Sequence, residues 1–357
     1  MKKNKNKKNK FFSFVVTAFG CILLAFLACF LAFRIALLPP DSKNDARQVH
    51  FEVPSGVTVA RISELLAQSG LVRSDKAFYI AARFPFLAFR KNVPVMKSGY
   101  YSIDSSMSAL QIMEILESGR QDSVKVSVPE GLTVRKIALL LEKNGVCQAD
   151  DFIEAAHNPL LLEKFEIPSE SFEGFLFPDT YFLAPGMGAE KVVVLMATAF
   201  FDKISQIPYF SGKSPSQFYE ALVLASIVER EYRVEEEAPL IASVFKNRIQ
   251  AGVGLYSCAT IEYIITEIQG KPHPDVISYD DLKIDSPYNT YKWAALPPSP
   301  ISNPGLVALR AAANPPETDY FYFTLTDSVS GRHTFSQSFN AHVKAGARFK
   351  TKKSGSN

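Results

Sequence analysis

One carboxylic acid in this sequence stands where acid–base chemistry is favoured. Residues 222–228 (LVLASIV) carry no charge, and this run ends abruptly at Glu229. On a helix, Glu229 shares a face with Ser226 and Ala225, which lie three and four residues before it. Desolvation against an apolar face disfavours the charged form of a carboxyl and raises its pKa, as a general acid near neutral pH requires. Glu229 is therefore a candidate catalytic acid.

The spacing alone leaves a second interpretation of Glu229 open. A glutamate at a helix end can pair with a basic residue four positions on, here Arg233, and do nothing else. Glycosidases ordinarily use two carboxyl groups, one as the acid and one as the base or nucleophile. The loop aspartates that could supply the second carboxyl are Asp275, Asp280, Asp281 and Asp285. Their distances from Glu229 do not follow from the sequence.

Other common catalytic patterns are absent from the sequence. It contains neither a G-x-S-x-G nucleophile elbow nor a phosphate-binding glycine loop. The five histidines are scattered without metal-ligand spacing, so neither a metal nor a cofactor is expected. His333 and Ser336 could be imagined as a nucleophile pair, but an isolated His and Ser at this spacing are mostly structural. Cys147 and Cys258 could form one disulfide.

The elements around Glu229 can be predicted from capping and periodicity. Ser214 with Gln217 is a capping box with Pro215 at the first helical position, so a helix over 215–231 is predicted. The elements predicted after it are helices near 240–248, 258–268 and 306–313, a loop over 285–305, and strands near 320–324 and 332–335. Residues 172–186, dense in aromatic and turn residues, predict a compact corner. The fold class is predicted to be α+β.

An internal repeat precedes this segment. The stretch 53–59 (VPSGVTV) matches 128–134 (VPEGLTV) at an offset of 75 residues. Each copy predicts a strand, a Pro-x-Gly turn and a helix whose N-cap is Thr58 or Thr133. A third, looser strand–helix unit is predicted over 100–119.

The N-terminus predicts a membrane span. Residues 11–33 carry no charge and are long enough to cross a ~30 Å hydrocarbon core. The lysine-rich residues 1–10 precede them, which places the N-terminus in the cytoplasm by the positive-inside tendency. A cleavable signal peptide and lipid attachment at Cys29 are the alternatives. The rest of the chain has more acidic than basic residues, so no nucleic-acid partner is expected.

Several motifs agree in order with one known family. They are EGFLFPDTY (173–181), ASIVERE (225–231), SVFKNR (243–248), YNTY (288–291), LPPSPI (296–301) and HTF (333–335). Together they resemble the endolytic murein transglycosylase family, also called YceG-like, from the membrane span to about residue 345.

The resemblance implies a single-pass protein of the inner membrane with its catalytic domain outside. Such enzymes cut the β-1,4 bond between N-acetylmuramic acid and N-acetylglucosamine in nascent peptidoglycan and leave 1,6-anhydro-muramoyl ends. The implied partners are glycan strands, membrane lipid and cell-wall synthases such as penicillin-binding proteins. The implied domains are a cytoplasmic tail (1–10), the membrane helix (11–33), a linker (34–48), a LysM-like module (49–122), a catalytic domain (123–347) and a flexible tail (348–357).

The resemblance also implies roles for individual residues. The family's catalytic glutamate falls on Glu229. The predicted substrate-binding residues are Tyr288, Asn289, Tyr291, Ser226, Tyr256 and Thr260. The predicted supporting residues are Glu231, Asn247, Arg248 and His333. For the 288–291 motif, a purely loop-fixing role is the alternative.

Two departures from the family pattern bear on these roles. Many members carry Leu-Gln-Ser/Thr-Asp-Pro-Thr after the second helix, where this chain has Leu255 to Thr260 (LYSCAT), so Tyr256 and Cys258 replace Gln and Asp. Ala295 and Ser299 replace glycines around the Leu-Pro-Pro motif. A non-catalytic peptidoglycan-binding scaffold and a hydrolytic muramidase are the competing hypotheses.

Overall fold

The computed structural model describes residues 2–327 and 329–354, with side chains over residues 16–327 and 329–347. The chain divides into two compact units, Met1–Ser123 and Val124–Asn357. Helices and two-stranded antiparallel sheets occur in both units, so the predicted mixed α+β class is confirmed.

The first unit begins with a long helix and continues as a small α+β module. Its elements are α1 (Lys2–Ala36), β1 (Gln48–Val53), α2 (Val59–Gln68), α3 (Asp75–Arg83), a 3-10 turn (Pro85–Ala88), β2 (Gly99–Asp104) and α4 (Ala109–Ser118). β1 pairs with β2 in one antiparallel sheet, with Val53 opposite Gly99. The strand predicted as part of a third unit therefore belongs to the first repeat copy.

The second unit carries the predicted catalytic segment. Its first elements are β3 (Val124–Ser127), α5 (Val134–Lys143), α6 (Ala149–Ala156), α7 (Pro159–Lys164), β4 (Thr180–Leu183), α8 (Ala189–Ile204) and a 3-10 turn (Pro208–Phe210). They continue with α9 (Pro215–Val228), a 3-10 turn (Glu235–Glu237), α10 (Ala238–Gln250), α11 (Cys258–Tyr263), a π-helical turn (Ile264–Ile268) and a 3-10 turn (Asp281–Lys283). The last are α12 (Leu306–Ala313), β5 (Tyr322–Asp327), β6 (Arg332–Ser336) and α13 (Phe339–Ser354).

The repeat seen in the sequence is present as two segments that each begin with a strand, a turn and a helix and end with a strand, with two α-helices between the strands in the first copy and three in the second. β3 pairs antiparallel with β4, as β1 does with β2. Thr58 and Thr133 cap their helices by accepting the Arg61 and Lys136 backbone N–H groups. The turn glycine of the second copy, Gly131, has φ +74°, a left-handed conformation that favours glycine. The turns therefore follow from the repeated Pro-x-Gly sequence.

α1 contains the apolar segment expected from the sequence. Val16–Ala36 is apolar and long enough to cross a membrane, and residues 11–15 of the predicted span lie outside the residues whose side chains are described. None of the most apolar part of this segment is buried within the protein. Residues 34–48, predicted to be a linker, begin within α1 and then contact the first unit: Leu37 is buried in its core, and Pro39 accepts a hydrogen bond from Arg73. An apolar Leu-Leu pair directly after the helix favours this packing.

The last helix extends into residues 348–357, which the sequence predicted to be a flexible tail. α13 continues through Ser354, and residues 355–357 lie outside the described residues. Polar and basic residues dominate the end of this helix, and none of them is a strong helix breaker before Gly355.

The core of the second unit surrounds α9. Every side chain from Ala221 to Val228 is buried, and both α10 and α12 pack against α9. The corner predicted over 172–186 is present: Phe172, Phe175 and Leu176 are buried in the same core. Because α9 is surrounded along its last two turns, its C-terminal residue is held at a fixed place.

Candidate active site

Glu229 is the C-cap residue of α9, whose last helical residue, Val228, lies three residues before the predicted end of the helix. The helix stops because its last turn tightens: the N–H groups of Arg230 and Glu231 bond the carbonyls of Ile227 and Val228 at 3.0 Å each. The Glu229 side chain is half-buried. Its Oε2 accepts a hydrogen bond of 2.9 Å from the Gly305 backbone N–H.

The described contacts do not show Glu229 as a helix-end residue that only pairs with Arg233. The carboxyl is bonded by the Gly305 N–H and by the Tyr232 hydroxyl. The Arg233 side chain lies against Gly331 instead. The apolar face of α9 therefore leads to a carboxyl that is held in place by two donors.

A second carboxyl, Glu130, lies beside Glu229. It is in the Pro-x-Gly turn of the second repeat copy, and its carboxyl packs directly on Gly305, where a β-carbon would meet Glu130 Oε1. A β-carbon on Gly131 would be 3.5 Å from Glu229 Cγ. The two carboxyls thus flank the same glycine.

The surroundings favour the protonated form of Glu229. Burial is the main cause that raises the pKa of Glu229 to about 7, and the negative charge of Glu130 raises it further. The Gly305 N–H, the Tyr232 hydroxyl and Arg230 act in the opposite direction. A position at the carboxyl end of a helix also disfavours a negative charge.

Arg230 is largely engaged elsewhere. Its NH2 forms an ion pair of 2.8 Å with Glu262 Oε1, and both side chains are mostly buried. Lys136 and His273 also approach this oxygen, at 3.4 and 3.3 Å. Although burial opposes ionisation, these cations hold the pKa of Glu262 below its usual value. The cation next to Glu229 in sequence is therefore directed toward Glu262.

The loop that carries Gly305 is fixed by a buried polar network centred on Asn303. Asn303 Oδ1 accepts the backbone N–H groups of Gly174 and Leu176, each at 2.9 Å. Its Nδ2 donates to the Leu132 carbonyl at 3.0 Å and to Glu173 Oε1 at 2.9 Å. One asparagine thereby joins the repeat turn, the 172–176 corner and the Gly305 loop.

Glu173 is the carboxyl partner in this network. It is buried and accepts the Val134 backbone N–H at the start of α5, with distances of 3.2 and 3.1 Å to its two oxygens. Burial raises the pKa of Glu173 to about 8, against the opposing effect of the Val134 N–H. The network is close to Glu229 through Gly305, but it faces the protein interior.

Three residues predicted to contact substrate are instead fully buried in the structure. Ser226 Oγ donates to the Val223 carbonyl and accepts the Ile301 N–H at 3.0 Å. Asn289 Nδ2 donates to the carbonyls of Leu282 and Ile284. Thr260 bonds the carbonyl of Ser257 and the hydroxyl of Thr290. Because these polar atoms are inside and paired, they hold the loops and do not face a ligand here.

The other three predicted substrate-binding residues are accessible to different extents. Tyr256 is 49% exposed and has φ +51°, a conformation costly for a residue with a β-carbon and common at functional sites. The Tyr291 hydroxyl lies 3.1 Å from Cys258 Sγ. Tyr288 is half-buried, with its hydroxyl 2.6 Å from Ser299 Oγ.

Tyr256 and Tyr291 line a cleft with a volume of about 710 Å³. Its other polar lining residues are Glu231, Arg248, Ser257, Cys258, Tyr322 and His342. Glu231, only two residues from Glu229, accepts a hydrogen bond from Ser257 Oγ. Because the chain turns after α9, the two neighbouring glutamates reach different surroundings.

The predicted supporting residues connect α10 and the preceding turn to the last sheet. Asn247 donates to the carbonyls of Thr318 and Tyr320. Arg248 Nε donates to the Phe321 carbonyl at 2.7 Å. The His333 ring bonds Glu237, with 2.8 Å between Nδ1 and Oε2. These contacts explain the Asn-Arg pair and the His of the motifs as structural.

Other sequence hypotheses have definite outcomes. Asp281 bonds Ser278, Asp280 pairs with Lys283 and Asp285 pairs with Lys292, so these loop aspartates are engaged locally. Cys147 and Cys258 are both free thiols. Within residues 2–327 and 329–354, there is no group of three His, Cys, Asp or Glu residues that could hold a metal ion.

The functional neighbours of Glu229 were not found by sequence reasoning. Glu130, Tyr232, Gly305 and Asn303 come from separate parts of the chain. A signal for Glu130 was present, because the first repeat copy has Ser55 at the equivalent place. A carboxyl added to one copy of a duplicated turn indicates a function that the other copy lacks.

This fold and site define a mixed α+β protein whose candidate reaction centre is one half-buried carboxylic acid beside a second carboxyl. Over residues 51–348 the sequence matches the YceG-like family. The chain belongs to the YceG-like family, and the resemblance seen in its motifs is confirmed.

Proteins similar to the chain are named endolytic murein transglycosylase. The one from Bacillus subtilis (strain 168) is 29% identical over 333 residues, 88% of each chain. The one from Streptococcus pneumoniae serotype 2 (strain D39) is 30% identical over 339 residues, 86% of this chain but 59% of that protein. The crystal structure of a yceG-like protein from Listeria monocytogenes is similar with a TM-score of 0.56 and 26% identity, covering 84% of this chain and 99% of that one.

Proposed function

We propose that the chain is a membrane-anchored endolytic lytic transglycosylase that cleaves nascent peptidoglycan strands. The bond cleaved is the β-1,4 bond between N-acetylmuramic acid and N-acetylglucosamine. The observation that carries this proposal is Glu229, a half-buried acid with a pKa of about 7, fixed at a helix end by the Gly305 N–H. The names of the relatives support the reaction class.

In the proposed reaction, Glu229 serves first as the acid and then as the base. Its proton passes to the glycosidic oxygen as the bond from that oxygen to the anomeric carbon breaks. The C6 hydroxyl of the same muramoyl residue then attacks the anomeric carbon and gives its proton to the Glu229 carboxylate. The product is a 1,6-anhydro ring, the acid is restored, and no water is consumed.

Glu130 has a supporting role in this proposal. Its negative charge beside Glu229 favours the protonated acid before the reaction. The same charge favours the positive charge that develops on the sugar ring as the bond breaks. Because the attacking hydroxyl belongs to the substrate, Glu130 need not activate a water molecule.

The cleft with Tyr256 and Tyr291 is proposed to hold part of the glycan strand. Aromatic rings suit the apolar faces of sugars, and Arg248, whose guanidinium lies 5.7 Å from the centre of the Tyr256 ring, stiffens that wall. Tyr288 borders the same loop and is proposed to act by holding it. Cys258 occupies the place of the family aspartate and contacts Tyr291, so it cannot supply the carboxylate that other members have there.

The membrane arrangement is also part of the proposal. The apolar segment Val16–Ala36 supports a retained anchor, and the lysines before it support a cytoplasmic N-terminus. Both units would then lie outside the cytoplasm, near cell-wall synthases. The strand–helix–helix–strand order of the first unit supports a LysM-like glycan-binding module.

Product analysis tests this function against a scaffold and a hydrolytic muramidase. The full chain in detergent is incubated with purified sacculi, and the released fragments are analysed by mass. Anhydro-muramoyl ends are expected. Reducing ends would indicate a hydrolase, and the absence of any fragment would favour a scaffold; either result contradicts the proposal. The full chain is required because Leu37, directly after α1, belongs to the core of the first unit.

The cleavage rate is expected to fall as the pH rises through about 7. The acid must be protonated, and the pKa of Glu229 is about 7. Glu130→Gln removes a negative charge, lowers the pKa of Glu229 and should move this fall to lower pH. The measurement is the rate of fragment release across pH 5–9, with Glu220→Gln, an exposed change on α9, as the control. An unchanged alkaline limb in Glu130→Gln would show that Glu130 does not act through Glu229.

A further inference from the structure

The first unit exposes an apolar segment between α3 and β2. Five large apolar side chains in residues 84–95, here named the 84–95 loop, are exposed: Phe84, Phe86, Phe89, Val93 and Val95. Phe89 and Val95 are the most exposed, with 76% and 74% of their surfaces accessible, and Phe86 follows with 67%. Contiguous apolar residues of this kind on the outside of a small module mark a contact surface.

This loop touches the part of α1 that is expected to lie in the membrane. The Phe89 ring packs edge-on against the Phe30 ring, with 6.3 Å between centroids. The Arg34 guanidinium lies over the same Phe89 ring, 5.2 Å from its centre. Phe30 is six residues before Ala36, the last residue of the apolar segment, which is about 9 Å at 1.5 Å per residue. Phe89 therefore lies beside the predicted membrane span, on the membrane side of its last residue, Ala36.

The junction between α1 and the module holds the loop in this place. The Ala109 N–H donates to the Leu37 carbonyl at 3.1 Å. Arg73 Nε donates to the Pro39 carbonyl at 2.8 Å. Since Leu37 is itself buried in the core of the first unit, these two bonds fix the chain that leaves α1 to the module that carries the loop.

The composition of the loop matches an interface between lipid and water. Its aromatic residues are flanked by the exposed basic residues Arg83 and Lys91. Aromatic rings are favoured at the level of the lipid headgroups, and basic side chains are attracted to their phosphates. A water-facing loop would gain nothing from exposing these phenylalanines.

We propose that the 84–95 loop inserts into the outer leaflet of the membrane that α1 crosses. It would give the first unit a second, non-spanning attachment, with the phenylalanines about 5–10 Å deep at the boundary of headgroups and acyl chains. This inference rests on the proposed membrane anchoring by α1. It confines the first unit to the layer next to the membrane, where new glycan strands are made.

A tryptophan placed in the loop tests the insertion. The chain has a single tryptophan, Trp293, so Trp293→Phe gives a background without tryptophan fluorescence. Into this background Phe86→Trp is introduced, with Phe26→Trp in α1 as the marker of the span and Phe182→Trp, exposed in the second unit, as the water-facing control. The full chain is reconstituted in vesicles whose acyl chains carry bromine at a shallow position.

The Phe86→Trp protein is expected to show blue-shifted emission and to lose most of its intensity in brominated vesicles, while Phe182→Trp keeps its intensity. If Phe26→Trp is quenched but Phe86→Trp is not, the loop faces water and the inference is overturned, although the anchor stands. If neither is quenched, the anchoring itself fails.

Discussion

Glu229→Gln is expected to lower the rate of glycan cleavage by about 10²–10⁴-fold, the usual contribution of a general acid. The amide oxygen can still accept the Gly305 N–H, so the geometry of the site is retained. It has no proton of suitable acidity for the glycosidic oxygen, and it cannot accept the proton of the C6 hydroxyl. The release of anhydro-muramoyl fragments from sacculi measures the loss.

The matched control is Glu220→Gln, which makes the same chemical change at an exposed position of α9 and should keep full activity. The free energy of unfolding of Glu229→Gln is measured beside that of wild type, to separate a loss of activity from a loss of folding. Because the pKa of Glu229 is raised in the folded state, the native protein binds its proton more tightly than the unfolded chain does. The wild type therefore loses stability as the pH rises from about 4.5 to about 7, and Glu229→Gln does not. A variant that retained wild-type cleavage would show that another group is the acid.

Asn303→Ala is expected to destabilise the second unit by more than about 3 kcal/mol. Each buried group left without its partner costs about 1–3 kcal/mol, and Asn303 serves Gly174, Leu176, Leu132 and Glu173 at once. Glu173 would lose a donor in an apolar environment. Denaturant unfolding of the full chain in detergent measures the effect.

Asn340→Ala is the control for this change, because Asn340 is exposed at the start of α13 and its replacement should alter stability by a few tenths of a kcal/mol at most. Asn303→Ala should also reduce cleavage below the unfolding transition, since Gly305 follows directly after the loop that Asn303 fixes. Equal stability of Asn303→Ala and wild type would mean that water satisfies these groups and that the network is not what holds the loop.

The local structure near Glu229 was predictable because it depends on neighbours in sequence. The Ser214–Gln217 capping box is present as expected, and the helix over Leu306–Ala313 has the predicted bounds. Both depend on caps and periodicity within a few residues. The predicted end of α9 was three residues too late, because the tightened turn after Val228 depends on packing that the sequence pattern does not record.

The roles of individual polar residues were less predictable. Ser226, Asn289 and Thr260 belong to the recognised motifs, yet all three are buried and bonded to loops. A motif records that a residue type is required at a position, whether it touches a ligand or holds the backbone. Only the burial and the hydrogen-bond partners distinguish the two.

The sequence by itself determined the apolar N-terminal segment, the duplicated strand–turn–helix, the family and the candidacy of Glu229. Each of these depends on residue types at short, regular spacing. Only the tertiary structure showed which groups surround Glu229, the residue whose role the spacing had left open. Gly305, Tyr232 and Glu130 meet this carboxyl from distant parts of the chain. The pKa of an acid depends on charges and burial in space, and a sequence pattern contains no distances between such segments.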